Sequence, residues 1–527
     1  MDVSDRPLQP SDPSVPSGGR HSPERSETRR RTWRERRLAG PPPPGYRWTA
    51  LVNTTVGAFM SSLDGSILTV SIPTIAVSLH TGVALMLWIM MGYTVVITAL
   101  LLPLGRLADL KGRVRFYLAG FIIFTVGSAF SGLSQDGMML LGGRIVQGVG
   151  AALMWSNSTA ILTDAFPASH RGMALGINQV AALSGSLGGL LLGGIITSTL
   201  GWRWIFFLNL PVGVFGALWT YTSLREIGTR AEAEPFDYAG LALFTAGVVS
   251  LLLAITEIVQ GTHGWIVPAL FVLGALSLVT FAWQERRAAG PMMDLALLRI
   301  RAFTFGNTAL FLNALARGAL MFLLTFAFQG VLGATPLEAG LMLVPLTAMI
   351  LISGPISGVL SDRLGARGLS STGLIVSAIA LFAMAEVPIT GPYLPVAIVL
   401  AVAGLGNGLF NSPNTSAVMG SVPADRRGVA ASMRSLVFNA GQLFSTALAF
   451  AIVSSAMGAS QLTRFLAGIT IRAENANAAF TTGLREAFLL SAALSVVGVV
   501  FSLMRGSVEE ASSTAQPRRG GVTFHSR

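Results

Sequence analysis

The chain has 527 residues, 52% of them hydrophobic and only 12% charged, with a mean hydropathy of +0.63; soluble domains carry about 25% charge, so a water-soluble fold is excluded. The net charge of +11 is dispersed through loops and tails rather than gathered into a basic domain, which argues against a nucleic-acid partner. Without cysteine, disulfides and thiolate metal sites are excluded.

Residues 1–47, rich in Pro, Ser and Arg, cannot bury a core and are expected to form a disordered cytoplasmic tail. No apolar run precedes Leu51, so a cleaved signal peptide is not expected. From Trp48 to Met504, apolar segments of the roughly 20 residues needed to cross a bilayer follow one another. They lack the alternation of barrel strands, so an all-α polytopic membrane protein is expected. The predicted spans are 48–75, 83–104, 116–134, 138–163, 174–199, 204–223, 238–259, 264–283, 303–330, 337–358, 370–388, 393–417, 428–456 and 486–504, fourteen in all, followed by a tail at 505–527. The loops after even-numbered spans hold Arg106, Lys111, Arg113, Arg115, Arg171, Arg225, Arg230, Arg286, Arg287, Arg299, Arg301, Arg363, Arg367, Arg426 and Arg427. The opposite loops hold little beyond Arg203, Arg464, Arg472 and Arg485, so both termini are expected in the cytoplasm of a cell-membrane protein.

Repetition is the next signal. The skeleton G-x-x-x-D-x-x-G occurs in "GRLADLKGRVR" (105–115) and again in "GVLSDRLGAR" (358–367), pairing Asp109 with Asp362. Gly148 and Gly150 pair with Gly404 and Gly406, and Pro167, Arg171, Gly172 and Ala174 with Pro423, Arg427, Gly428 and Ala430. The chain therefore divides into a six-helix half at 48–223, an inserted hairpin at 238–283 and a second six-helix half at 303–504, the layout of secondary transporters with a pathway at the repeat interface.

Within the spans, Asp64 lies about 20 Å from an entry near Leu51, deep in a hydrocarbon core of roughly 30 Å. A carboxylate there must be paired, face the bundle interior or be protonated for part of a cycle; it either handles a proton or cationic substrate or makes a fixed hydrogen bond. Trp88, Tyr93, Trp155, Phe326, Phe328 and Gln329 are candidates for a pocket or for packing. Arg144, near the start of span four, precedes Gln147 and small residues suited to close packing. Asn313 and Arg317, four apart, share a face of span nine; with Arg434 of span thirteen they suit an anionic substrate, a carboxylate or structural pairing. Glu257 falls near the outer end of the hairpin and is expected at the interface.

Taken together, "LDGSILTVSIP" (63–73), "GRLADLKGRVR", "RIVQGVGAA" (144–152), "WRWIFFLNLPVG" (202–213) and "GATPLEAGLMLVP" (333–345) resemble the major facilitator superfamily, specifically its fourteen-span drug:proton antiporter branch, over nearly all of 48–504. The resemblance implies a fold of two six-helix halves plus an inserted hairpin. It implies a cytoplasmic gate latch at Gly105, Asp109, Gly112, Arg113 and Arg115, repeated at Asp362 and Arg363, and ties Arg144 to proton coupling with Asp64. Span five departs from the branch's pattern, reading "SGSLGGLLLGG" (184–194) with Leu190 where proline is expected. Gly185, Gly189, Gly193 and Gly194 keep a small-residue packing face. Span four likewise carries Ser156 where relatives commonly have proline.

The expected function is proton-coupled export of drug-like or lipophilic, often cationic, small molecules by alternating access, with the proton gradient as energy source and no cofactor. The alternative is a dedicated carrier of an endogenous metabolite. A polytopic enzyme is not favoured: His21, His80, His170, His263 and His525 all fall in tails or loops, so no intramembrane catalytic or metal site is expected, and no Walker-type loop is present.

Overall fold

The computed structural model describes residues 43–167, 170–227, 237–259, 264–288, 291, 293–318, 320–423, 426–457 and 474–506. Arg230, Arg464, Arg472, His21, His263, His525 and residues 1–42 and 507–527 of the tails predicted at 1–47 and 505–527 lie outside the described residues, as do the side chains of Arg171, Asp362 and Arg427. Of the remainder, Tyr46 and Arg47 belong to the first helix, and Arg505 is buried against Asn414 rather than in a tail. Fourteen helices are long and apolar enough to cross a membrane, and among the described residues there is no strand.

The first six are α1 (Tyr46–Leu79), α2 (Val83–Lys111), α3 (Arg113–Gly132), α4 (Gly137–Ala165), α5 (Arg171–Thr199) and α6 (Trp204–Ser223). The hairpin is α7 (Tyr238–Val259) and α8 (Ile266–Glu285). The last six are α9 (Arg301–Arg317, continued by Leu320–Phe326), α10 (Pro336–Met342, continued by Val344–Leu364), α11 (Ala366–Glu386), α12 (Tyr393–Gly420), α13 (Arg427–Met457) and α14 (Glu474–Met504). This is the all-helical architecture expected from the sequence, with several edges shifted. Helix α2 runs on to Lys111 rather than 104 and α10 to Leu364 rather than 358, so Arg106, Asp109, Lys111, Asp362 and Arg363, expected in loops, lie in helices. Helix α1 starts at Tyr46 rather than 48 and α9 at Arg301 rather than 303. The larger correction is α14, which begins at Glu474 instead of 486. Its first turns are too polar to register as a span, but Phe480 and Leu484, one turn apart, are buried, and Gly483 lets the helix close on Val453 of α13.

Packing repeats between the halves. In the first, α1 packs on α5, α4 wedges between α2 and α3, and α3 meets α6; in the second, α9 packs on α13, α12 wedges between α10 and α11, and α11 meets α14. Glycines make both wedges possible: a Cβ at Gly148 would lie 2.9 Å from Tyr93 O of α2, and one at Gly404 would strike Leu346 O of α10. Gly150 and Gly406 do the same against Phe124 of α3 and Ser377 of α11. The halves meet along two seams, α5 with α10 and α2 with α13, which exchange under the same repeat. Helix α7 rests on both α2 and α13, so the hairpin covers one seam and leaves the other to lipid.

Candidate functional site: a buried ion pair in the first half

Asp64 and Arg144 are 0% and 1% exposed, and the Arg144 Nη1 donates to Asp64 Oδ2 at 2.5 Å. Two ions this deep require partners for their remaining polar atoms, and four helices supply them. Gln147, one turn after Arg144 on α4, accepts from Arg144 Nη1 at 3.0 Å and donates through Nε2 to Asp64 Oδ1 at 3.1 Å. Asn209 of α6 donates to the same Oδ1 at 2.7 Å. Ser128 of α3 accepts from both Gln147 and Asn209 at 3.0 Å and passes its own proton to Phe206 O. The Arg144 guanidinium lies 4.3 Å from the centroid of the Tyr93 ring of α2. Only Arg144 Nε is left without a partner.

The position of Asp64 is held by α5. Gly185, Gly189 and Gly193, spaced one turn apart, face the carbonyls of Phe59, Leu63 and Ile67 on α1, and a Cβ at 189 or 193 would come within 2.5 or 2.8 Å of the last two. Ser71 and Thr197 join the same helices at 2.7 Å. Gly194 turns the other way: a Cβ there would lie 2.6 Å from Leu337 Cα across the seam, and one at Gly340 would lie 2.7 Å from Leu190 O. Leu190 is wholly buried, and α5 runs on through it as one continuous helix. Without the proline, α5 keeps close contact on both sides through Gly189 and Gly194.

The second half lacks this network. The positions that repeat Arg144 and Gln147 on α12 are Leu400 and Ala403, both buried and apolar. What it holds instead is Asn313 and Arg317 on α9 and Arg434 on α13. Asn313 is 0% exposed with neither amide atom partnered, while Arg434 donates to Thr415 of α12.

The residues expected in the gate lie at the end of the bundle that carries the basic loops. Arg113 donates through Nε to Asp109 at 2.7 Å and through Nη1 to both oxygens of Asp164 on α4 at 2.8 and 2.7 Å. Gly112, at φ +117°, begins α3 without a side-chain cap of its own, and Glu226 supplies one from beyond α6, accepting from Arg115 N at 3.1 Å. Gly365 repeats the turn at φ +83° before α11; a side chain at either glycine would be strained. Gly105 approaches Ser156 of α4, and Arg363 is exposed in the last turn of α10 beside Asp362.

Of the candidate pocket residues, Tyr93 belongs to the ion-pair site, whereas Trp88 is half-buried against the large hydrophobic cluster that both halves share and Trp155 against a smaller one within the first half. Phe328 is fully buried and Phe326 packs edge-to-face on Phe450, so both are core residues. Gln329 sits in a π-turn at Ala327–Val331 and donates to Val70 O of α1 at 3.0 Å, tying the halves together. Glu257 lies in the last turn of α7. Ser128, Asn209, Asp164 and Glu226 escaped the sequence reading. Ser128 and Asn209 were visible as polar residues inside apolar runs, but nothing local pointed them at Asp64.

A family model described as the Major Facilitator Superfamily matches residues 54–308 and 306–525. The riboflavin transporter RibZ of Clostridioides difficile is 32% identical over 405 residues, 76% of this chain and 87% of that protein. The multidrug resistance protein Stp of Mycobacterium tuberculosis is 33% identical over 416 residues, 78% of this chain and 75% of that one. The crystal structure of a bacterial homolog of the human lysosomal transporter Spinster, inward-facing and unoccupied, superposes with a TM-score of 0.60 at 18% identity, covering 88% of this chain and 98% of the other. At that identity it shows the fold alone.

Proposed function

Because the chain belongs to the major facilitator superfamily, a family of multi-pass membrane transporters, we propose that it is a proton-coupled exporter of drug-like, lipophilic small molecules. It works by alternating access in the cell membrane, with the basic-loop end and both termini in the cytoplasm. The observation that carries the reading is the Asp64–Arg144 pair, a carboxylate and a guanidinium both fully buried among α1, α3, α4 and α6. Similarity to the multidrug resistance protein Stp supports the drug-like substrate class.

The geometry suggests how a proton is used. With Asp64 ionised, the pair is locked: its attraction is about 4 kcal/mol at 4 Å for an effective dielectric of 20, and three amide donors and acceptors hold the remaining atoms. Protonation of Asp64 removes that attraction and leaves Arg144 as an uncompensated cation, held by Gln147 and Tyr93 alone. A buried charge without its partner is unstable, so the helices that carry it must rearrange or recruit water. Loading and release of one proton thereby bias α1 and α4 between two arrangements, the condition for coupling a gradient to a conformational cycle. Arg113, Asp109 and Asp164 hold the basic-loop end of the first half as one block during that motion.

The test is pH-gradient-driven movement of lipophilic dyes in inside-out vesicles, wild type against Asp64→Asn. Gradient-dependent flux in the wild type that vanishes in the variant supports the assignment; equal coupled flux in both removes Asp64 from the mechanism. A second reading, a dedicated metabolite carrier, is favoured by the similarity to the riboflavin transporter RibZ. It is the better one if a broad dye panel is refused.

A further inference from the structure

We infer that the second half binds an acidic group of the transported molecule, a carboxylate, phenolate or phosphate, between Arg434 and Arg317. This rests on the transporter reading above and names its substrate class. The interior charges of the first half cancel in the Asp64–Arg144 pair. Those of the second do not: no ion pair among the described residues involves Arg317 or Arg434. The acids of α9–α14 stand at helix ends or on the surface, Glu474 being the first residue of α14. Glu338 is committed to its capping box with Thr335, Glu386 to exposed Arg485, Glu486 is exposed, and Asp362 lies in the last turn of α10.

From Arg434 the polar groups form a ladder along α12 whose far end is open. Arg434 donates to Thr415; Thr415 donates to the Asn411 carbonyl at 2.6 Å; and Asn411 donates to Asn407 Oδ1 at 3.1 Å. The chain climbs one face of α12 turn by turn and stops at Asn407, 2% exposed, whose amide donor is unsatisfied. On α9, Asn313 is wholly buried with both amide atoms unsatisfied, and Arg317, one turn on, has an unsatisfied Nε, as does Arg434. Counted at about 1.5 Å per residue from the basic-loop end, Asn407 and Asn313 lie at about the same depth, with Arg434 below and Arg317 above. Open N–H donors and two uncompensated cations are the complement of an anion, and they repel a cationic ligand. Native proteins satisfy buried polar groups, and the oxygens of an acidic ligand would satisfy these donors on α9, α12 and α13.

The experiment is equilibrium binding to the purified full chain in lipid nanodiscs, using fluorescein as the anionic probe and rhodamine 6G as a cation built on the same ring system. Fluorescein is expected to bind at least tenfold tighter. Arg434→Gln and Arg317→Gln should each weaken it about tenfold, about 1.4 kcal/mol, with little effect on rhodamine, and Arg434→Lys should restore much of the loss. Because neither arginine has an acid partner to orphan, both glutamine variants should melt no lower than the wild type. Tighter rhodamine binding, or glutamine variants that bind fluorescein like the wild type, overturns the inference. Fluorescein binding without gradient-driven flux instead sinks the transport reading and leaves the anion site standing, so the two fail separately.

Discussion

In the cycle proposed above, the buried Asp64–Arg144 pair acts as a coupling device rather than as a source of stability. Replacing either partner strands a charge at a cost of about 3–5 kcal/mol, whereas replacing both removes the charge altogether. Asp64→Asn and Arg144→Gln are therefore each expected to lower the melting temperature in nanodiscs, and the double variant to recover much of the loss. Gradient-driven flux should be absent in all three. Recovery of stability without recovery of flux separates the two roles; a double variant no more stable than the worse single one contradicts the pairing. Gly112 is a different case, one in which the backbone decides. At φ +117°, and with the Glu226 carboxylate where a Cβ would go, Gly112→Ala should cost about 1–2 kcal/mol, readable as a lower melting temperature.

At the scale of the helix, small residues set which surfaces meet. Gly185, Gly189 and Gly193 bring α5 against the backbone of α1 on either side of Asp64. Gly189→Val pushes a branched side chain into Leu63 O and Ser66, so a loss of about 1–3 kcal/mol is expected, together with flux impaired beyond the loss of folded protein because Asp64 is displaced. Normal flux per folded molecule would show that the α1–α5 spacing does not govern the site. In α9, by contrast, the helix is continued by Leu320–Phe326 and widens to a π-turn where Gln329 crosses to α1. Such irregularity recurs at functional positions in membrane helices.

Over the whole molecule, alternating access requires the two seams to open in turn. At the end away from the basic loops, α5 and α10 touch through Gly194 and Leu337. A Cβ at Gly194 would lie 2.6 Å from Leu337 Cα, so Gly194→Ala is expected to wedge this seam apart and lower transport per folded molecule; undiminished flux means this seam need not close so tightly. The hairpin α7–α8 covers the α2–α13 seam only, which makes the bundle asymmetric toward lipid although its two halves repeat.

The number of helices, their order, the repeat and the burial of Asp64 were all legible in the chain, because each follows from local composition and spacing: a bilayer demands apolar runs of a fixed length and penalises any charge within them. Even the partner class of Asp64 was readable, since Arg144 is one of few charges inside a span. Which atoms meet was not. Asn209 reaches Asp64 only when α6 packs beside α1, and Ser128 joins the network only through Gln147 and Asn209. Glu226 caps α3 from a loop more than a hundred positions away. The polar first turns of α14 became helical only against α13. Contacts between distant segments depend on how helices cross, and crossing is set by the fit of whole surfaces, which no window of sequence contains.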